Sequence, residues 1–359
     1  MQRPELHPQT ALRAALRLAA PLVLVTSLGV GTGCDMIAQF TTPGPEVVEG
    51  AHEALRSGDL PAAADQFAGL AADHPDVLHV AVGQAYMQLL AGDTRGADAT
   101  LASAEAAAGD EIGSVKMRRA LVALSAGDLD GVKMHGKASG LPEGKLLAAE
   151  VHLVDLESDD AMQILREVSG SGGAVGDTAG QYLEMLDSGD QIQAGLAEAT
   201  ALWALGERES ACEAAEELVK ALGDDADDKN AQLLLWAGRA VTSKLPGVAS
   251  SLLDDIDFPP EGQAWRVQAT RAMVAVAEGN AEEGARILSA LGEAGAPADG
   301  LADAMATACA LTDDRAAAKQ LAGSVESAAA ARCLLQAGAG RAAMDQAPPG
   351  ALKTFLENR

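Results

Sequence analysis

The sequence predicts an all-α protein, a solenoid of stacked helical hairpins, and three observations carry that prediction. A turn phrase recurs as Ser57-Gly58-Asp59, Ala91-Gly92-Asp93 and Ala126-Gly127-Asp128, with the glycines 34 and 35 residues apart. Apolar residues make up 48% of the chain but aromatics only 3%, so Ala and Leu must do most of the packing, and both favour helix over strand. Apolar stripes run at helical spacing: Ile192, Leu196, Ala199 and Trp203 stand at i, i+4, i+7 and i+11, and Trp265, Ala269, Ala272 and Val276 repeat the pattern. No stretch alternates at period two for long enough to demand a sheet.

The first element is a targeting segment over residues 1–33. Arg13 and Arg17 close a basic region, and residues 18–30 (LAAPLVLVTSLGV) form an apolar core of 13 residues. A spanning helix needs about 20, and Pro21 weakens that reading further. The segment ends Gly31-Thr32-Gly33-Cys34, small residues directly before a cysteine. This end resembles the lipobox of bacterial lipoproteins, in which the cysteine is diacylated and becomes the mature N-terminus. Gly31 departs from the aliphatic residue usual there. The resemblance implies Cys34 as the lipidation site, a membrane partner through the anchor, and a place on the extracytoplasmic side of a bacterial membrane. Asp35 after the cysteine marks inner-membrane retention in enteric bacteria only, so inner and outer membrane both stay open. Ordinary cleavage with Cys34 a plain thiol is the alternative.

A tether over 34–45 follows, because Thr41-Thr42-Pro43-Gly44-Pro45 cannot be helical. The repeat body is placed at 46–345 and a C-terminal capping tail at 346–359. At each turn the Gly is expected to take the left-handed cap of one helix while the following Asp caps the next. Repetition at this period marks a helical-hairpin array.

The positions around the turns resemble a tetratricopeptide repeat. That family has a small residue five after the turn Gly, a large one nine after it and Pro seventeen after it; from Gly58 these are Ala63, Phe67 and Pro75. From Gly92 they are Ala97, Leu101 and Gly109, and Gly83 and Tyr86 match the family's first-helix Gly and Tyr with two extra residues before the turn. The match loosens at Gly206 (Ala211, Ala215) and Gly279 (Gly284, Leu288), with further degenerate turns near Asp159, Lys244, Asp313 and Gly338. It weakens across 131–190, where glycines 170–176 suggest a flexible insertion near 169–178. The resemblance implies a right-handed α-solenoid of degenerate tetratricopeptide-like hairpins with a concave groove. In that register His52, Arg56, Thr200, Trp203, Arg266 and Met273 point to the groove, where they would serve a protein or peptide partner. Core filling is the alternative, evenly weighted for Trp203 and favoured for Met273.

The chain carries a formal charge of −26, and because residues 1–33 hold Arg3, Arg13 and Arg17 against Glu5, the remainder carries −28. Such a surface repels phosphate backbones, which argues against a nucleic-acid partner. With Cys34 acylated, Cys212, Cys309 and Cys333 remain, an odd number. Cys309 and Cys333 sit shortly before degenerate turns in consecutive repeats, on helices that would lie side by side, so a bridge is within reach; small buried cysteines are the commoner outcome.

Chemistry is hard to find. His52, His74, His79, His135 and His152 show no zinc-helix spacing, and Pro75 breaks the helix between His74 and His79. Residues 140–145 (GLPEGK) are one residue short of a phosphate loop and lack its Ser/Thr. The acidic runs 224–228 and 254–257 lack the distal Glu of a calcium loop and read as solvated turns. The expectation is a non-catalytic interaction scaffold without metal or small-molecule cofactor. An envelope assembly factor is one alternative, and an enzyme or polymer-binding protein using the solenoid as accessory scaffold is another.

Overall fold

The computed structural model describes residues 48–73, 77–222, 226–257, 259, 262–312, 314–322 and 333. The leader, Cys34, the tether, the Gly338 turn and the 346–359 tail lie outside them. Among the described residues there are 17 α-helices, two short 3₁₀ turns after the fourth, and no strand. Two compact units divide at Gly206.

The first unit holds α1 (Glu49–Ser57), α2 (Leu60–Asp73), α3 (Leu78–Leu90), α4 (Thr94–Ala104), α5 (Ile112–Ala126), α6 (Leu129–Ser139), α7 (Pro142–Val154), α8 (Ser158–Ser169), α9 (Gly173–Asp187) and α10 (Gln191–Ala204). Each helix packs on the next, and the first helices of neighbouring hairpins touch, α5 on α7 and α7 on α9. Instead of one shared core there is a row of local ones. Phe67 and Val80 centre the first, between α1, α2 and α3; Leu101 and Val115 the second, between α3, α4 and α5; Val132 and Val151 the third, between α5, α6 and α7. A fourth joins α7 to α10 around Leu165 and Tyr182. Cores that each serve a few neighbouring helices are the physical mark of a helical array. Arg119 ties α4 to α5, with Nε 2.7 Å from Asp98 Oδ1 and Nη1 2.6 Å from Glu105 Oε1.

The recurring phrase does what its chemistry requires. Gly58, Gly92, Gly127 and Gly279 hold φ between 70° and 88°, the left-handed region that costs a glycine nothing. The residue after each returns its N–H to the preceding helix, as Asp93 to Gln88 O at 2.8 Å and Asp128 to Ala123 O at 2.9 Å. Its side chain then caps the following helix: Gly96 N donates to Asp93 Oδ1 at 2.8 Å, Gly131 N to Asp128 Oδ1 at 3.0 Å, and Glu283 N to Asn280 Oδ1 at 3.2 Å.

Two turns make the same backbone bond without glycine and without a side-chain cap. Lys244 (φ 61°) stands where a degenerate turn is expected. The turn expected near Asp159 lies at Leu156 (φ 62°) instead, with Glu157 N bonded to His152 O at 2.8 Å, and Asp159 is already inside α8. Leu156 offers no local signal because it adopts a conformation its side chain disfavours. In the glycine run near 169–178, residues 170–172 turn the chain and Gly173 opens α9. Gly176 is buried close to Ser169 O, an approach that a larger residue would crowd.

The second unit holds α11 (Arg208–Lys220), α12 (Ala226–Thr242), α13 (Pro246–Asp254), α14 (Ala264–Ala277), α15 (Ala281–Glu293), α16 (Ala298–Leu311) and α17 (Arg315–Ala322). Successive helices again pack in chain order, with α12 on α14 and α14 on α16. Ala272, Leu288, Met305 and Leu321 form its terminal core together with Cys309 and Cys333. The two cysteines are joined as a disulfide with Cα atoms 5.7 Å apart. Among the described residues no helix is long and apolar enough to cross a membrane.

Candidate functional site

Among the described residues, a crevice opens between α3 and α5, the first helices of consecutive hairpins. Val82, Tyr86 and Leu89 of α3, Leu101 of α4, and Arg118 and Leu121 of α5 line a shallow, half-open crevice of about 20 Å³, room for about one water molecule. The walls are apolar and the polar groups are two. Burial raises the Tyr86 phenol and lowers the Arg118 guanidinium, with Glu111 opposing the latter. Such an apolar notch can seat a small apolar group of a partner side chain. It holds no nucleophile and no general base.

Tyr86 is legible from sequence as a repeat residue and Arg118 is not. The signal is geometric: Tyr86 stands six before its turn glycine and Arg118 nine before Gly127, an offset of three that returns a helix to the same face.

The residues expected in the groove go to several places. His52 is only 7% exposed, with its ring centroid 5.7 Å from that of Phe67, so it fills the core of α1 and α2 and lines no groove. The Arg56 side chain lies outside the described residues. Thr200 and Trp203 are half-buried on α10. In the second unit Met273 packs against the terminal core, and Arg266 is exposed with its guanidinium 5.4 Å from the Trp265 ring centroid.

One cluster has the look of a metal site. The ligand atoms of His152, Glu157 and Asp160 lie within 4.8 Å of one another. Glu157 Oε2 is 2.6 Å from His152 Nδ1 and 2.7 Å from Lys133 Nζ, however, so the lysine ammonium already sits where a cation would. Lys133 and His152 together hold the exposed Glu157 carboxyl below its ordinary range. Cys212 is a free, buried thiol that burial pushes up to about 11, which leaves it unreactive.

No family model matches the chain, and no curated protein matches it. Solved structures do. A tetratricopeptide repeat protein from Parabacteroides merdae aligns with TM-score 0.35 and 13% identity over 73% of this chain and 97% of that one. The TPR domain of P58(IPK) aligns with TM-score 0.24 and 16% identity over 84% of this chain and 98% of that domain. Both are tetratricopeptide proteins, but the tetratricopeptide-like build of this chain is carried by its own hairpins: the left-handed glycines, the Asp and Asn caps, and Phe67 seated on Gly83.

Proposed function

We propose that this protein is a non-catalytic scaffold that holds a peptide or protein partner along its helical hairpins, tethered by a lipid on Cys34 to the extracytoplasmic side of a bacterial membrane. The observation that carries the binding half is the crevice between α3 and α5, apolar inside with Tyr86 and Arg118 on its walls. Apolar slots with a few convergent polar groups are where partner side chains anchor. The export half is supported by the Gly31-Thr32-Gly33-Cys34 end and by the Cys309–Cys333 disulfide, since such bonds persist in oxidising compartments. The charge of −26 favours a partner other than nucleic acid.

Two measurements test it. A photo-crosslinking residue in place of Leu121 should trap a partner in cells, whereas one in place of exposed Arg286 should not; equal or absent trapping at both would overturn the groove. Cys34→Ala should move the protein from the membrane to the soluble fraction, and unchanged partition would overturn the anchor.

A further inference from the structure

Among the described residues of the first unit, the one carboxyl held deep inside is Glu150, on α7. It is 7% exposed, on the stretch of α7 that gives Ala149 and Leu153 to the core joining α7, α8, α9 and α10. Its Oε1 accepts a hydrogen bond from the Tyr182 hydroxyl of α9 at 3.2 Å. A neutral hydroxyl is a weak counterpart for a buried negative charge, and an ionised carboxylate there would be largely uncompensated.

No cation answers it among the described residues. The helices packed on α7 are α5, α6, α8, α9 and α10. Of these, α9 alone presents a titratable group to Glu150, namely Tyr182. Lys133 of α6 is engaged with Asp155 and Glu157, and Arg119 of α5 with Asp98 and Glu105. Glu167 of α8 pairs with Lys145, which leaves neither of them for the core. Glu198 of α10 is a second acid, raised by burial alone.

The place of this carboxyl in the fold gives it leverage. Helix α10 does not only follow α9; it also packs back on α7, so α7, α9 and α10 close on one another around Tyr182. We propose that this closure is a proton-dependent clasp: α9 and α10 hold to α7 while Glu150 carries its proton, and loosen as the proton is lost. Burial pushes the Glu150 carboxyl up to about 8 against an ordinary 4.5, the Tyr182 hydroxyl opposing. The sign follows from linkage. The closed form keeps the proton that an opened, hydrated form gives up, so the stability Glu150 confers is complete below about 4.5 and is lost progressively as pH rises to about 8. Within that window the opening equilibrium rises by up to about tenfold per pH unit and then levels off.

The test is hydrogen exchange on the full chain from pH 5 to pH 9, wild type beside Glu150→Gln, which keeps the shape and cannot ionise. Dividing one by the other at each pH cancels the intrinsic dependence of exchange. Opening of residues 173–204 in the wild type should grow relative to the variant by more than about a hundredfold across the range. Parallel profiles would overturn the proposal. Carboxyl ¹³C NMR of the wild type decides the matter even where the variant fails to fold: the Glu150 signal should titrate well above the ordinary carboxylates, and titration among them would overturn it equally.

Discussion

The ring of Phe67, on α2, occupies the space that a side chain at Gly83, on α3, would need: a Cβ built on Gly83 would overlap ring atom Cε1. Phe67 is fully buried and Gly83 is the residue that lets the next hairpin come close enough to bury it. The second unit repeats the device between Trp265 of α14 and Gly300 of α16.

Phe67→Ala should therefore cost about 3 to 5 kcal/mol, from the lost transfer of the ring and the cavity left behind. Because each core serves a few neighbouring helices, the loss should appear as early melting of residues 46–110. Hydrogen exchange in α14 to α17 should remain protected. Uniform loss of protection along the chain would count against an array.

Leu156 carries the cost of a left-handed conformation with nothing gained from its side chain, which is 66% exposed. Leu156→Gly should raise stability by about 1 kcal/mol, because the same turn bonds form without the strain. Urea unfolding checks this directly. A variant no more stable than the parent would mean that the Leu156 side chain holds something in place.

Reduction of the Cys309–Cys333 bridge, which closes a separation of 24 residues, should lower the stability of the second unit by about 3 kcal/mol. Calorimetry with and without reductant, in a Cys212→Ala background, should show the fall in that unit's transition. A Cys309→Ser variant should match the reduced protein and be indifferent to reductant.

Much of the fold was legible in the sequence. A left-handed turn needs glycine and the next helix needs a cap, so Gly-Asp and Gly-Asn at a fixed period declared the hairpins at Gly58, Gly92, Gly127 and Gly279 before any contact was known. The same local rules had nothing to read at Leu156, where the surrounding helices force a left-handed turn on a residue that disfavours it. They pointed His52 toward a groove, whereas a helix face is defined by what packs on it, and His52 lies buried against Phe67 of α2.

What the sequence by itself determined was therefore the local grammar: helices, turns, caps, period, and the small-and-large pairing of Gly83 with Phe67. What only the tertiary structure decided was which polar residues meet. Tyr86 and Arg118 share a crevice because α3 and α5 are neighbours, and Glu150 is buried because α10 folds back on α7. The physical reason is range. Backbone conformation is settled by bonds within a few residues, whereas the solvation and partners of a side chain depend on helices that arrive from elsewhere in the chain.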